Sequence, residues 1–111
     1  MSGKFVITTG KDNKFYFNLK AGNGEVILTS QGYKDKKGCL NGIESVKKNS
    51  QDEARFEVKT SSNDKEYFVL NATNGQVIGK SQMYKSGGGC NNGMKSVASN
   101  AADATTTDDS E

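Results

Sequence analysis

Apolar and polar residues alternate along four short segments of the chain, and the segments form two matching pairs. Lys4–Thr9 and residues 55–60 alternate between the two classes, while Phe15–Lys20 and Glu66–Asn71 each keep a phenylalanine and a leucine on one face. This two-residue period is typical of half-buried β-strands. Each half of the chain therefore predicts two strands joined by a polar turn.

A second turn follows these strands in each half. Asn23-Gly24 and Asn74-Gly75 stand between two apolar runs. Asn-Gly is typical of a two-residue hairpin in which both central residues take positive φ. The runs behind these turns, residues 26–30 and 77–81, are then third strands, so each half predicts an antiparallel meander.

The period changes after each third strand. Apolar residues now recur at i, i+4 and i+7, which predicts an amphipathic helix in each half. These residues are Cys39, Ile43 and Val46 in the first half and Cys90, Met94 and Val97 in the second.

The ends of the two helices carry suitable capping residues. Asp35 and Ser86 precede the helices and can accept hydrogen bonds from the first-turn amides. Asn49 and Asn100 suit the left-handed residue that often ends a helix.

Each helix also contains a central glycine, Gly42 or Gly93. Glycine inside a helix costs about 1 kcal/mol relative to alanine. Its presence in both halves predicts that another group approaches the helix backbone closely. The three glycines at 87–89 weaken the start of the second helix.

The two halves are copies of one unit. Residues 5–49 align with 56–100 at a constant spacing of 51 residues without a gap, which indicates an internal duplication. The boundaries follow as repeat one (1–51), repeat two (52–100) and a tail (101–111). A half of this size buries little surface alone. The repeats therefore predict one intertwined domain with a shared core.

The predicted fold class is α+β. Two β(3)-α repeats form one antiparallel sheet, with both helices on one face and a pseudo-twofold axis between the repeats. The other face is solvated and carries Tyr16 and Tyr67. Residues 104–107 are rich in threonine and are a candidate seventh strand, although the acids that follow favour fraying.

Two segments of the first repeat resemble the YegP-like family of small bacterial proteins of unknown function. They are Phe-Tyr-Phe-Asn-Leu-Lys-Ala-Gly-Asn-Gly-Glu-Val-Ile-Leu-Thr-Ser at 15–30 and Asn-Gly-Ile-Glu-Ser-Val-Lys-Lys-Asn at 41–49, and repeat two keeps most of both. The resemblance implies a β(3)-α-β arrangement in which two units share a sheet and exchange C-terminal strands. It favours the seventh strand and supplies no catalytic or ligand residues.

Charge is distributed unevenly along the chain. Four of the thirteen acids fall in the last eleven residues without a base, which leaves fifteen bases against nine acids before them. Basic surface attracts anions, yet fourteen of these bases are lysine and Arg55 is the single arginine. The lysines mostly alternate with acids, as on a solvated surface.

No segment approaches the roughly 20 apolar residues of a membrane span, and the first residues lack the apolar run of a signal peptide. We expect a soluble, cytoplasmic protein that does not bind membranes.

The sequence contains few residue combinations that could support catalysis. The chain has no histidine, which removes the usual general base and the Ser-His and Cys-His nucleophile pairs. Within the aligned segments 5–49 and 56–100, no carboxylate is retained at equivalent positions. Cys39 and Cys90 are repeat equivalents on the apolar stripe, so we interpret them as reduced core residues. A redox or metal pair is the alternative, but two thiolates fall short of a zinc set. We expect no enzyme activity, cofactor or metal.

The best candidate binding feature is the string Ser-Gln-x-Tyr-Lys, which joins the third strand to the helix in both repeats. Tyr33 and Tyr84 offer stacking surfaces, while Lys34 and Lys85 place a cation near a helix N-terminus that favours anions. The structural alternative is a turn with the tyrosine packed over the helix end. Residues 87–89 add a weak phosphate-cradle signal without a P-loop pattern.

These features predict a non-enzymatic binding or protein-interaction module. It would contact an unknown protein, with another copy of the chain as one option, through a sheet face or edge. The alternative is weak nucleic-acid binding by a basic sheet surface with Tyr16 and Tyr67 as stacking platforms. The duplication predicts a monomer that acts as a pseudo-dimer.

Overall fold

The structure is a computed structural model that describes residues 3–85 and 87–109. Each repeat forms three strands and a helix as predicted, and the seventh strand is present. The Ser86 cap lies outside the described residues. The elements are β1 Lys4–Thr9, β2 Phe15–Lys20, β3 Val26–Thr29, α1 Lys36–Asn49, the 3₁₀ helix Glu53–Arg55, β4 Phe56–Thr60, β5 Glu66–Asn71, β6 Val77–Lys80, α2 Gly87–Asp103 and β7 Thr105–Asp108.

All seven strands form one sheet in the order β4-β5-β6-β3-β2-β1-β7. The neighbours pair antiparallel except for β7, which runs parallel to β1. The six strands of the repeats form the predicted antiparallel sheet, and β7 adds a parallel strand at its edge, so the whole sheet is mixed. Hairpins deliver antiparallel neighbours, whereas the chain reaches β7 through the long crossover that contains α2.

The repeats meet at the pair Thr29–Lys80, where β3 lies antiparallel to β6. These two residues are 51 positions apart and occupy equivalent places in the repeats. The predicted pseudo-twofold relation is therefore confirmed. The strand after α2 of repeat two also pairs with β1 of repeat one, which is the predicted C-terminal strand exchange.

One hydrophobic core lies between the sheet and the two helices. α1 contacts β2 of its own repeat and β5 and β6 of the other, and α2 likewise contacts strands of both repeats. The largest fully buried side chains include Phe5, Phe17 and Phe68. The core is shared between the repeats, as the small size of each half requires.

The Asn-Gly hairpins form where they were predicted, but with a different turn. Gly24 has φ +87° and Gly75 has φ +85°, while neither preceding asparagine is among the positive-φ residues. In the first hairpin the Gly24 amide donates to the Ala21 carbonyl at 2.9 Å, and the Ala21 amide donates to the Glu25 carbonyl at 2.8 Å. A three-residue loop with one left-handed glycine has therefore replaced the two-residue turn.

The helix ends follow the prediction in part. Asp35 caps α1, because its Oδ1 accepts from the Gly38 amide at 2.7 Å. Asn49 and Asn100 are not left-handed end residues; they lie within α1 and α2. Their side-chain amides donate to the Ser45 and Ser96 carbonyls one turn earlier, each at 2.8 Å, so the helical conformation satisfies them. α2 continues past the predicted boundary at residue 100.

Candidate protein-interaction surface

Tyr33 and Tyr84, the aromatic residues of the candidate binding string, are half-buried and pack against the core. The Tyr33 ring stacks on Phe17 with centroids 6.1 Å apart, and Tyr84 stacks on Phe68 at 6.3 Å. Burial raises the pKa of the Tyr33 hydroxyl. The rings therefore have a packing role that occupies one of their faces.

The central helix glycines are explained by the same tyrosines. A Cβ on Gly42 would overlap the Tyr33 hydroxyl and lie 2.7 Å from its Cζ atom. Gly93 faces Tyr84 in the same way, at 2.8 Å from Cζ. The close approach predicted from the paired glycines is therefore the edge of a tyrosine ring.

The serine of the string forms hydrogen bonds with backbone groups. Ser30 Oγ accepts from the Phe17 amide at 2.9 Å and donates to the Gln31 carbonyl at 2.8 Å. Ser81 makes the equivalent bonds with Phe68 and Gln82 at the same distances. This residue therefore holds the chain where the third strand leaves the sheet.

The lysines of the string, Lys34 and Lys85, are exposed. The anion-attracting amides that begin α1 already face the Asp35 carboxylate. Residues 87–89 form the first turn of α2 and not a loop, so the predicted phosphate cradle lacks the loop it needs. In each copy of the string, the serine and tyrosine therefore have structural roles, and the lysine is exposed.

Tyr16 and Tyr67 lie on the open face of the sheet and are separate from the string. The Tyr16 hydroxyl donates to Asp12 Oδ2 at 2.7 Å, which lowers the pKa of the Asp12 carboxyl and raises that of Tyr16. The ammonium of Lys80 lies 4.8 Å from the centre of the Tyr67 ring. Each ring thus already has a polar partner within its own repeat.

The two cysteines are free and fully buried. Burial raises the pKa of the Cys39 thiol to about 11, and nearby Asp108 adds to the shift. Burial also raises the pKa of Cys90, with Glu66 adding to it. Both side chains belong to the core, as expected, and both are held as thiols at neutral pH. Within residues 3–85 and 87–109, no cluster of three potential metal ligands occurs.

A surface that sequence reasoning missed lies at the β4 edge of the sheet. It is a groove of about 480 Å³ between β4 and α2, which we call the β4 groove. Val58 points inward as predicted, yet its side chain is 46% exposed because no other part of the described residues packs over it. The principal lining residues are Phe56, Val58, Asn91, Met94, Lys95 and Ala98.

The equivalent surface in repeat one is covered. Phe5, Ile7 and Ile43, the equivalents of Phe56, Val58 and Met94, are each at most 1% exposed. β7 lies beside β1 there, Ala104 joins the core, and Asp108 pairs with Lys36 at 2.6 Å. The sequence did contain a signal for this asymmetry. Each repeat begins with a strand, β1 or β4, but only one candidate C-terminal strand, β7, follows the repeats.

Among the described residues, no helix has the length and apolar character that crossing a membrane would require.

Known proteins resemble the chain over nearly its full length. The family model described as Domain of unknown function (DUF1508) matches twice, at residues 11–57 and 61–108. A UPF0339 protein from the ptx operon 5′ region of Stutzerimonas stutzeri is 55% identical over 104 residues, covering 94% of each chain. The UPF0339 protein YegP of Escherichia coli is 48% identical over 108 residues, covering 97% of this chain and 98% of YegP.

Two solved structures share the fold. The solution NMR structure of a UPF0339 protein from Shewanella oneidensis has a TM-score of 0.92 at 50% identity, and covers 99% of this chain and 93% of its own. That of E. coli YegP, described as a protein of unknown function, has a TM-score of 0.94 at 47% identity, with 99% and 95% covered. Both repeats match the family model and the relatives are about 50% identical, so the chain belongs to the DUF1508/UPF0339 family, which includes YegP.

Proposed function

We propose that the chain is a non-enzymatic protein-interaction module and that its contact surface is the β4 groove. The observation that carries the proposal is the difference between equivalent residues. Ile7, on a strand that pairs with β7, is 1% exposed, whereas Val58 is 46% exposed. An apolar sheet edge beside a helix is a surface that proteins use to bind other chains.

The groove combines apolar and polar contacts. Phe56 and Met94 are partly buried and supply apolar area, while Asn91 and Lys95 are exposed on its α2 side. Interfaces between proteins typically have an apolar centre and a polar rim. The groove has this composition on a small scale.

Several features favour binding over catalysis. The chain has no histidine, and the high pKa values of both cysteines disfavour thiolate chemistry at neutral pH. Two free, buried cysteines suit a reducing compartment, and we place the protein in the cytoplasm. The shared core favours a monomer that acts as a pseudo-dimer.

Nucleic-acid binding through Tyr16 and Tyr67 receives less support from the geometry. The Tyr16 hydroxyl is engaged by Asp12, and Lys80 lies over the Tyr67 ring. Stacking platforms work best when the ring face is free for a base, and the Lys80 ammonium already occupies one face of Tyr67. Titration with single-stranded DNA at two salt concentrations addresses this alternative, because phosphate contacts give a steep salt dependence.

Site-specific photocrosslinking tests the main proposal. A photoreactive residue replaces Val58 in one variant and Val77 in a control, since Val77 is 41% exposed and lies outside the groove. Both are expressed in Escherichia coli, which encodes the 48% identical YegP. We expect a discrete crosslinked protein from position 58 and not from 77. Equal crosslinking at both positions, or none at position 58, would count against the proposal.

A further inference from the structure

The β1 edge of the molecule shows what kind of segment fits the equivalent β4 groove. β7 runs parallel to β1, with Thr106 opposite Phe5 and Asp108 opposite Ile7. Phe56 and Val58 occupy the same places on β4, because they follow Phe5 and Ile7 by the repeat spacing of 51. The chain thus contains both a filled and an open version of one surface.

We propose that the β4 groove is a strand-addition site, which receives an extended segment of a partner protein parallel to β4. This inference rests on the proposed function and specifies how the partner binds. The occupant would take the place beside β4 that β7 takes beside β1, and would extend the sheet by one strand.

The backbone of β4 supports this mode of binding. β4 is the last strand in the sheet order and pairs with β5 on one side. The outer side of a terminal strand presents amide and carbonyl groups that can pair with an added strand. Main-chain hydrogen bonds then supply affinity, and pockets for alternate side chains supply selectivity.

The chemistry of the occupant follows from the residues that differ between the two edges. At the β1 edge, Asp108 lies opposite Ile7 and its carboxylate pairs with Lys36. The repeat equivalent of Lys36 is Gly87, which carries no cation. A carboxylate opposite Val58 would therefore be placed near apolar side chains without this partner. The occupant should carry an apolar residue there.

Two further positions of the occupant are defined by the β7 template. Ala104 precedes β7 and is 7% exposed, so a small residue should precede the added strand. Glu57, on the opposite face of β4 from Val58, forms an ion pair with Lys59 at 3.7 Å, and both remain partly exposed. The occupant's residue beside them should be polar. The expected sequence is a small residue followed by alternating polar and apolar residues.

A second copy of this chain is the competing occupant. Antiparallel pairing of two β4 strands centred on Val58 would place Glu57 of each opposite Lys59 of the other. The β7 template favours the parallel heterologous segment, since it reproduces a pairing that the same unit already makes. The test separates the two.

The probe is a synthetic peptide with the sequence of residues 102–109 carrying Asp108→Val, titrated into the ¹⁵N-labelled full-length protein and followed by NMR. We expect saturable shifts of the amides of β4 and of groove residues Asn91, Met94 and Lys95. The same peptide with its natural Asp108 should bind at least about tenfold more weakly, because Gly87 stands in place of the Lys36 cation that pairs with this carboxylate at the β1 edge. Equal affinities would overturn the proposed side-chain chemistry.

Paramagnetic labels on the peptide test its direction. In the parallel arrangement, an N-terminal label broadens the amides near Arg55 and Phe56, and a C-terminal label broadens those near Lys59 and Thr60. The reverse pattern would overturn the parallel arrangement. Shifts confined to β1 would overturn strand addition at β4 and show that the peptide displaces β7. Shifts of β4 amides that depend on protein concentration in the absence of peptide would overturn it in favour of self-pairing.

Matched variants complete the test. Val58→Asp should abolish peptide binding, and Val77→Asp, at a similarly exposed position outside the groove, should leave it unchanged. The NMR spectrum reports whether each variant is folded. If no peptide binds but the photoreactive residue at position 58 still crosslinks a protein in cells, the strand-addition proposal is wrong and the interaction-module proposal is retained. If neither occurs, both proposals fall.

Discussion

β1 and β4 are equivalent strands with different surroundings. β1 lies between β2 and β7, whereas β4 ends the sheet with β5 as its neighbour. The difference has a covalent cause. Residues after α1 must continue directly into β4, while residues after α2 are free to cross to the far edge. A tandem duplication joined in this way can complete one of its two ends from its own chain, and among the described residues the β4 end has no added strand.

The largest expected effect comes from the same truncation made at both ends. Ile7→Ala should lower the free energy of unfolding by about 2–5 kcal/mol, because it opens a cavity in a packed core. Val58→Ala should cost about 1 kcal/mol or less, because the side chain is already partly in water. Urea unfolding of the two variants measures both values. Equal losses would mean that β7 does not distinguish the two edges.

Removing β7 should make the two edges alike. A chain ending at Asp103 loses the backbone pairing of β7 to β1 and the burial of Ala104. With each hydrogen bond contributing about 1 kcal/mol, the expected loss of stability is about 3 kcal/mol. Hydrogen exchange should then accelerate at β1 more than at β4. An unchanged β1 exchange rate would contradict the pairing.

Alanine at the helix glycines should affect both repeats equally. Gly42→Ala and Gly93→Ala each force a tyrosine ring away from the helix, at an expected cost of about 1–3 kcal/mol. Combining Gly42→Ala with Tyr33→Leu removes the overlap, so the two substitutions should be non-additive in urea unfolding. Additive losses would show that the ring is not the obstacle. This site tests whether the asymmetry is confined to the edges.

The next expected effect depends on pH and concerns the thiols. Unfolded cysteines ionise near pH 8.5, whereas the pKa of folded Cys39 is about 11. Above about pH 9 the unfolded state binds fewer protons than the folded state, so stability should fall as pH rises towards 11. Urea unfolding between pH 8 and pH 10.5 measures the decline, and Cys39→Ser should make it shallower. A pH-independent stability would contradict the raised pKa.

Asp108→Asn refines this comparison. Asp108 raises the pKa of Cys39 and lies in β7, whereas Cys90 is influenced by Glu66. The substitution should therefore lower the pKa of Cys39 and leave Cys90 unchanged, as measured by the pH dependence of alkylation at each cysteine. Its effect on stability should be below about 1 kcal/mol, because the ion pair with Lys36 is exposed.

Most of the fold could be predicted because its determinants are local. The hydrophobic periods of the strands and helices and the Asp35 cap each depend on a few neighbouring residues. The duplication is visible from the constant spacing of 51 residues. The errors arose where tertiary contacts decide. The parallel pairing of β7 depends on where α2 delivers the chain, and Asn49 and Asn100 stay helical because their amides have carbonyl partners one turn earlier.

The candidate site was less accessible to sequence reasoning. Tyr33 and Tyr84 are retained in both repeats, and repetition alone cannot separate a packing residue from a binding residue. The β4 groove was missed for the opposite reason, since its residues look like core residues in the sequence. Phe56 and Val58 match buried residues of repeat one, so their pattern predicts burial, and their exposure follows from the absence of a second β7-like strand among the described residues.

The parallel pairing of β1 with β7 also has a consequence for biosynthesis. β1 leaves the ribosome before the other strands of the sheet, and its outer neighbour leaves after them. Lys4 meets Thr105 only after both helices and five further strands have been made. Contacts between distant parts of a sequence form slowly because the loop between them must first close. During translation, the nascent protein therefore presents a second unpaired edge, which closes only after β7 has been made.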